Sequence, residues 1–137
     1  MDQQPGVRHA GLATGVTVPY VSAGPAAAAP VVLLHAWGES RRSFDRLLPL
    51  LRGTVHAMAM DQRGHGGADK PAAGYSLAAF AADVEAFMDA VGVSTAVLVG
   101  SSSGGYVAQQ VAITSPHRVA GPRRVAAQPA GAAVVRR

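Results

Sequence analysis

Short apolar runs alternate with helical patterns along the 137 residues of the chain. Four of the runs are short and partly β-branched, which is typical of strands buried within a sheet. They cover residues 16–23, 31–34, 54–60 and 96–99. Because Pro19 has no N–H to donate to a neighbouring strand, we expect the first run to be an edge strand.

Three other segments repeat their apolar residues at the spacing of one helix face. The pattern predicts a helix over residues 43–51, a longer one over 77–91 and a third from about 104 to 113. Ser76 is a suitable N-cap for the second helix, and Gly92 ends it. The apolar stripe of that helix consists of Leu77, Phe80, Val84, Phe87, Met88 and Val91.

Strands that alternate with helices predict an α/β fold, in which helices flank a mostly parallel sheet in three layers. Reactive groups in such folds gather beyond the C-terminal ends of the strands. Three loops of unusual composition follow strands here, at residues 35–40, 61–67 and 100–105. We therefore expect a functional site at that edge of the sheet.

The third loop reads Gly-Ser-Ser-Ser-Gly-Gly over residues 100–105 and matches the pattern Gly-x-Ser-x-Gly between a strand and a helix. This motif holds its central serine, here Ser102, in a strained turn that exposes the hydroxyl. Ser101 and Ser103 are weaker candidates, because only Ser102 has a glycine two residues away on both sides. The helix N-terminus that follows also stabilises developing negative charge. We interpret Ser102 as a catalytic nucleophile.

Two other interpretations of this loop stay open. A segment rich in serine and glycine can be a solvated turn, or a helix N-terminus that binds phosphate. A Walker-type nucleotide loop is excluded, since no Gly-Lys-Ser/Thr follows. For acyl transfer, the backbone N–H of Ser103 would supply one donor to the oxyanion, and the loop at 35–40 would supply the second.

Three segments resemble successive signatures of the α/β-hydrolase superfamily, in the expected order and spacing. They are Val-Val-Leu-Leu-His-Ala-Trp-Gly-Glu-Ser from residue 31, Met-Asp-Gln-Arg-Gly-His-Gly from residue 60 and Leu-Val-Gly-Ser-Ser-Ser-Gly-Gly from residue 98. The resemblance covers roughly residues 12 to 120 and is closest to cofactor-free esterases, lactonases and perhydrolases with a serine nucleophile. It implies a partial α/β-hydrolase fold that acts on small ester, lactone or related carbonyl substrates, with no cofactor and no metal.

By this resemblance Ser102 corresponds to the nucleophile, and the backbone N–H groups of Trp37 and Ser103 correspond to the oxyanion hole. The loop at residues 61–67 corresponds to one that is mainly structural in the family. Dehalogenases and epoxide hydrolases resemble the same scaffold but have an aspartate nucleophile, so Ser102 argues against both activities.

The sequence departs from the family pattern in several places. Ala36 stands where glycine is usual, and Ser101 stands where histidine or glutamine is common. In the family an acid and then a histidine follow the nucleophile, but no Asp or Glu follows Ser102 here. The only later histidine is His117, which we interpret as a surface residue of a turn. His35 precedes the elbow, and we expect it at most to support the oxyanion loop.

Composition and charge limit the kinds of partner that the chain can be expected to bind. The absence of cysteine excludes a disulfide framework and a thiolate metal site. Up to Arg118 there are eight basic and eight acidic residues, so the net charge of +4 resides in the tail and predicts no nucleic-acid surface. No apolar run approaches the roughly 20 residues that span a bilayer. We expect a cytoplasmic protein with a small-molecule substrate and no nucleic-acid or membrane partner.

The end of the chain does not continue the fold pattern. Residues 1–120 are expected to form the N-terminal part of a hydrolase domain, and residues 121–137 an irregular tail rich in Ala, Pro and Arg, disordered or out of frame. We expect a frameshift or truncation near residue 120. An interrupted sheet would leave an apolar edge unpaired and promote self-association. A catalytically inactive fragment, or a protein that binds a small ligand, are the alternatives to an active hydrolase.

Overall fold

A computed structural model of the chain describes residues 6–120 and the backbones of residues 124–126 and 132–136. The strands are β1 (Arg8–Gly11), β2 (Thr17–Ala23), β3 (Pro30–Leu34), β4 (His56–Met60), β5 (Val97–Ser101), β6 (Arg124–Ala126) and β7 (Ala132–Arg136). Within the described residues they form one sheet with the order β1-β2-β4-β3-β5-β7-β6. β4, β3 and β5 pair in parallel, and the strands on either side pair antiparallel. The predicted α/β fold is confirmed, with its parallel part at the centre.

The first predicted strand is not an edge strand. β2 lies between β4 and β1, and the sequence pattern did not predict β1. The carbonyl oxygen of Pro19 accepts a hydrogen bond from the N–H of Asp61 at 2.9 Å, one residue beyond the end of β4. The proline nitrogen therefore faces the point where the β2–β4 ladder stops. The prediction of an edge strand is wrong because Pro19 lies just beyond the last pair of β2 and β4. Its missing N–H therefore removes no hydrogen bond between the paired residues of these two strands.

Helices cover both faces of the sheet and so complete three layers. The helices are α1 (Leu48–Leu51), α2 (Leu77–Ala90) and α3 (Ser103–Thr114), with 3-10 turns at Arg41–Phe44 and Pro116–Arg118. α2 and α3 share a buried cluster with Leu34, Met58 and Leu98 of the sheet. α1 and the turn before it pack against Leu33 and Ala59 on the other face. No helix within the described residues has the length and apolar character needed to cross a lipid bilayer.

The two longer helices agree with the sequence pattern, but the first helix does not. The Ser76 hydroxyl accepts a hydrogen bond from the N–H of Ala79 at 3.1 Å, which confirms it as the N-cap of α2. The predicted helix over 43–51 is instead a 3-10 turn followed by α1. Pro49 stands in the first turn of α1. A proline can begin a helix but cannot continue one, because it lacks the N–H that the preceding turn requires.

The end of the chain differs from the irregular tail that the sequence predicts. Val119 makes a single parallel bridge with Ala96. The backbone of β7 then pairs with β5, and β6 pairs with β7. The prediction of an irregular tail is wrong for these two stretches, and β5 does not have the unpaired edge that we expected. The remaining tail residues lie outside the described part of the chain, and self-association stays a prediction.

Candidate functional site

Ser102 occupies the sharp bend between β5 and α3. Its backbone has a φ of 51° and a ψ of −116°, and it is the only non-glycine residue with positive φ in the described part of the chain. Such a conformation costs roughly 1–3 kcal/mol and persists only where the surrounding structure imposes it. The residue is exposed at the C-terminal edge of the parallel strands. Its place outside regular structure agrees with the elbow motif.

Two glycines allow three backbone segments to meet at this bend. A Cβ atom on Gly100 would overlap the backbone of Gly104 and Gly105, and one on Gly104 would overlap the carbonyl oxygen of Leu34. Only glycine permits such close approaches. The N-terminus of α3 therefore packs directly against the end of β3, next to the loop that begins at His35.

The loop at residues 35–40 contacts the elbow through its backbone. The N–H of Trp37 donates a hydrogen bond to the Oγ of Ser103, with 2.7 Å between the nitrogen and the oxygen. The structure thus brings together all three residues that the sequence assigned to the site, although Trp37 and Ser103 are 66 positions apart. The sequence did not predict that the Ser103 hydroxyl itself would accept this N–H.

Buried polar contacts tie the loop at 35–40 to the end of β4. The Nε2 of His35 accepts from the backbone N–H of Gln62 at 3.0 Å, and the Gln62 side-chain amide donates to the His35 carbonyl oxygen at 2.8 Å. The Asp61 carboxylate accepts from the backbone N–H and the guanidinium of Arg41, at 2.7 and 2.6 Å. These four residues are buried. Because His35 and Arg41 flank Trp37 in the chain, the contacts position its N–H.

The same contacts hold His35 in its neutral form. The backbone N–H of Gln62 can only donate, so the Nε2 of His35, which accepts from it, carries no proton. The proton is on Nδ1, which donates to the Ala36 carbonyl oxygen at 2.8 Å. Burial lowers the pKa of His35, and the hydrogen bond to Ala36 opposes part of that shift. Since both ring nitrogens are engaged, His35 supports the loop and is not available as a base for Ser102.

We expect the stability of the chain to fall in mild acid because of His35. Its pKa is lower in the folded than in the unfolded state, so the unfolded state binds more protons as the pH falls below the ordinary value of 6.5. The contribution of His35 to stability is therefore present above that pH and is lost as the pH falls through the lowered pKa. His35→Gln retains an acceptor for Gln62 but does not titrate, so its free energy of unfolding should depend less on pH. Urea denaturation at a series of pH values measures the difference.

His117→Gln is the matched control for this experiment, because His117 is exposed. It should keep the pH dependence of the original chain. An undiminished pH dependence in His35→Gln would show that His35 is not the titrating group.

A second set of buried contacts fixes the loop at 61–67 to α2. Arg63 donates through Nε and Nη2 to the Asp83 carboxylate at 2.6 and 2.8 Å, and the Thr14 hydroxyl donates to the same carboxylate at 2.7 Å. The hydrogen bond to Asp83 raises the pKa of Arg63, so the guanidinium stays charged. These contacts are consistent with a structural role for the loop. The sequence pattern did not single out Asp83.

Aromatic side chains lie beside the contact between Trp37 and Ser103. The Trp37 side chain is 58% exposed, and its ring centroid lies 5.5 Å from that of Phe80 and 6.1 Å from that of His65. Tyr106, in the first turn of α3, is also exposed. The buried Phe80 ring thus supports the exposed Trp37 ring from below. Helical spacing classed Phe80 only as a core residue, and no motif marked His65 as its neighbour.

The other histidines of the described chain lie elsewhere or have other partners. His117 is exposed beyond the C-terminal end of α3, a helix of 12 residues and therefore about 18 Å long. His56 begins β4 at the opposite edge of the sheet. The Nδ1 of His65 lies 2.9 Å from the Arg63 carbonyl oxygen, and no hydrogen bond joins His65 to Ser102 among the described residues. The surface interpretation of His117 agrees with its position.

The described residues show no metal cluster at this edge of the sheet. Within the described residues no three His, Asp or Glu side chains are close enough together to hold a metal ion. An open groove of about 310 Å³ lies beside β2 and α1, with Val21, Leu48 and Arg52 in its lining. None of the three candidate site residues lines this groove.

Comparison with known proteins relates the chain to a family. Residues 29–121 match a family model described as alpha/beta hydrolase fold. A non-heme chloroperoxidase from Streptomyces lividans is 38% identical over 117 residues, which cover 84% of this chain and 42% of the relative. Epoxide hydrolase 4 from Mus musculus is 32% identical over 108 residues, which cover 77% of this chain and 30% of the relative.

A solved structure agrees in both fold and sequence. The structure of Est816, described as an N-acyl homoserine lactone degrading enzyme, has a TM-score of 0.77 and 38% sequence identity to this chain. The match covers 83% of this chain and 43% of Est816. The chain therefore spans less than half the length of each of these three proteins.

Proposed function

Because the chain belongs to the α/β-hydrolase fold family, we propose that it supplies the nucleophile and the oxyanion hole of a serine hydrolase. Ser102 attacks a substrate carbonyl carbon, and the backbone N–H groups of Trp37 and Ser103 stabilise the oxyanion that forms. The observation that carries the proposal is the strained bend at Ser102 beside the contact between Trp37 and Ser103. A strained, exposed serine has no role in packing that would otherwise retain it.

A serine at this bend favours acyl transfer over epoxide opening. Some relatives are named epoxide hydrolases, and the family resemblance assigns those members an aspartate nucleophile. The residue at the bend of this chain is Ser102, whose hydroxyl suits attack on a carbonyl group. The name of Est816 refers to lactone degradation. We therefore propose small esters, lactones or related carbonyl compounds as the substrate class.

The residues present should support acylation better than turnover. Family members place an acid and a histidine after the nucleophile, and the sequence has no Asp or Glu after Ser102. A positioned general base contributes typically about 10²- to 10⁴-fold to the rate. Without it, we expect Ser102 to react slowly with an activated acyl or phosphonyl group and to release the product more slowly still.

A fluorophosphonate probe tests the proposal directly, because it forms a covalent bond with an activated serine and needs no deacylation. We expect intact-mass and peptide analysis of the purified chain to show one adduct, on Ser102. Ser102→Ala should lose the adduct completely. Ser101→Ala removes a neighbouring hydroxyl of the same loop and should still be labelled.

Labelling of Ser102→Ala at the original rate would contradict the proposal, as would an adduct on Ser101. Hydrolysis of nitrophenyl acetate then distinguishes an active hydrolase from a fragment that is acylated but does not turn over. Turnover above that of Ser102→Ala indicates an active hydrolase. A stoichiometric adduct without turnover indicates the second candidate, a catalytically inactive fragment.

A further inference from the structure

We propose that the Ser103 hydroxyl is a resident occupant of the oxyanion hole, where it competes with the substrate carbonyl oxygen for the N–H of Trp37. The inference rests on the proposed function, because it assigns a second role to a residue of the same site. Ser103 then contributes through two separate groups. Its backbone N–H is a donor to the oxyanion, whereas its side chain occupies the other donor until substrate displaces it.

The distance between the two residues supports this role. The Oγ of Ser103 lies 2.7 Å from the Trp37 nitrogen, and donors of an oxyanion hole lie about 2.7–3.1 Å from the position of the oxyanion. The hydroxyl oxygen is thus as far from this donor as a substrate oxyanion would be. A backbone N–H is a single donor, so it cannot serve both oxygens with good geometry.

The backbone N–H of Trp37 is held in place, whereas the Ser103 hydroxyl is free to rotate. Buried hydrogen bonds of His35 and Arg41 hold the backbone on both sides of Trp37. Ser103 is only partly buried, and its hydroxyl can change place by rotation of one side-chain torsion between staggered states. Displacement by substrate therefore requires a rotation of Ser103 and no movement of the loop at 35–40.

This competition predicts a specific size and type of effect. The net value of a neutral hydrogen bond corresponds to about a 2- to 10-fold change in a binding constant. Removing the hydroxyl should therefore tighten the binding of any ligand oxygen that uses the Trp37 N–H by about that factor. Because ground state and transition state displace the same hydroxyl, the change should appear in KM and leave kcat unaltered.

The single tryptophan of the chain makes the Trp37 amide easy to observe. Selective ¹⁵N-tryptophan labelling gives one backbone resonance, whose shift can be followed by NMR during titration with acetate. The acetate carboxylate oxygen mimics the oxyanion and requires no reaction at Ser102. We expect the amide of Ser103→Ala to exchange faster with solvent than that of the original chain, and its acetate Kd to be about 2- to 10-fold lower.

Two further variants make the comparison specific. Ser103→Thr keeps a hydroxyl at the same position and should restore the weaker acetate binding. Ser101→Ala removes a hydroxyl from the same loop and should behave like the original chain. Ser103→Gly provides a second removal of the hydroxyl if the alanine variant does not fold.

Equal acetate Kd values in Ser103→Ala and the original chain would overturn the proposal, and so would the absence of an acetate-induced shift in both. Tighter binding by the original chain would also overturn it, because the hydroxyl would then donate to the anion instead of competing with it. Failure of the proposed function has a different signature, the lack of a fluorophosphonate adduct on Ser102. The acetate titration keeps its meaning in that case, since it involves no nucleophile.

Discussion

Replacing Gly104 with alanine is expected to lower the free energy of unfolding by about 3 kcal/mol and to abolish labelling of Ser102 by a fluorophosphonate. A methyl group at residue 104 would overlap the carbonyl oxygen of Leu34 in the central strand β3. That oxygen belongs to sheet backbone, which cannot rotate away as a side chain can. The N-terminus of α3 must therefore move outward, and the bend at Ser102 moves with it.

Urea denaturation and probe labelling at a temperature where the variant is folded measure the two effects. Gly53→Ala is the matched control, because no heavy atom lies within 4 Å of a Cβ at Gly53 and its φ is not positive. We expect that control to stay within about 0.5 kcal/mol of the original chain. If Gly104→Ala proved as stable as the control, the close approach of α3 to β3 would be disproved.

Replacing Asp83 with asparagine is expected to lower the free energy of unfolding by about 3–5 kcal/mol. Asp83 is fully buried within α2 and accepts two hydrogen bonds from Arg63. Asparagine has nearly the same shape but no charge, so the Arg63 guanidinium would remain buried without a counterion. Loss of this ion pair should also loosen the loop at 61–67 from α2.

Chemical denaturation compares this variant with Asp89→Asn. Asp89 also pairs with an arginine, Arg118, at 2.8 Å, but its side chain is 69% exposed. An exposed pair contributes at most about 1 kcal/mol, so Asp89→Asn should be nearly neutral. If both variants lost the same free energy of unfolding, burial would not be the reason that the Arg63–Asp83 pair stabilises the fold.

The elbow could be predicted from the sequence because its geometry is local. A strand, a bend and a helix follow one another without interruption, and the glycines at 100 and 104 are the residues that such a bend requires. The position of Ser102 between β5 and α3 follows from that order. Similarly, Ser76 caps α2 through a hydrogen bond to the N–H of Ala79, only three residues away.

Errors arose where the outcome depended on a neighbour elsewhere in the chain. Pro19 correctly marks a strand with a missing donor, but whether this strand is an edge depends on where β4 ends. Helical spacing placed Phe80 and Val84 on one buried face and passed over Asp83 between them. Its burial depends on Arg63, which arrives from a loop 20 residues earlier.

The order of strands and helices, the bend and its central Ser102 are properties of the sequence alone, because backbone sterics and side-chain periodicity act over a few residues. The contact of Trp37 with Ser103, the neutral state of His35 and the burial of Asp83 belong to the tertiary structure. Each of these depends on segments that are far apart in the chain and that only the packed sheet brings within hydrogen-bonding distance. Periodicity in sequence does not report such distances. The loop at residues 35–40 could therefore be located from the sequence, but the acceptor of the Trp37 N–H could not.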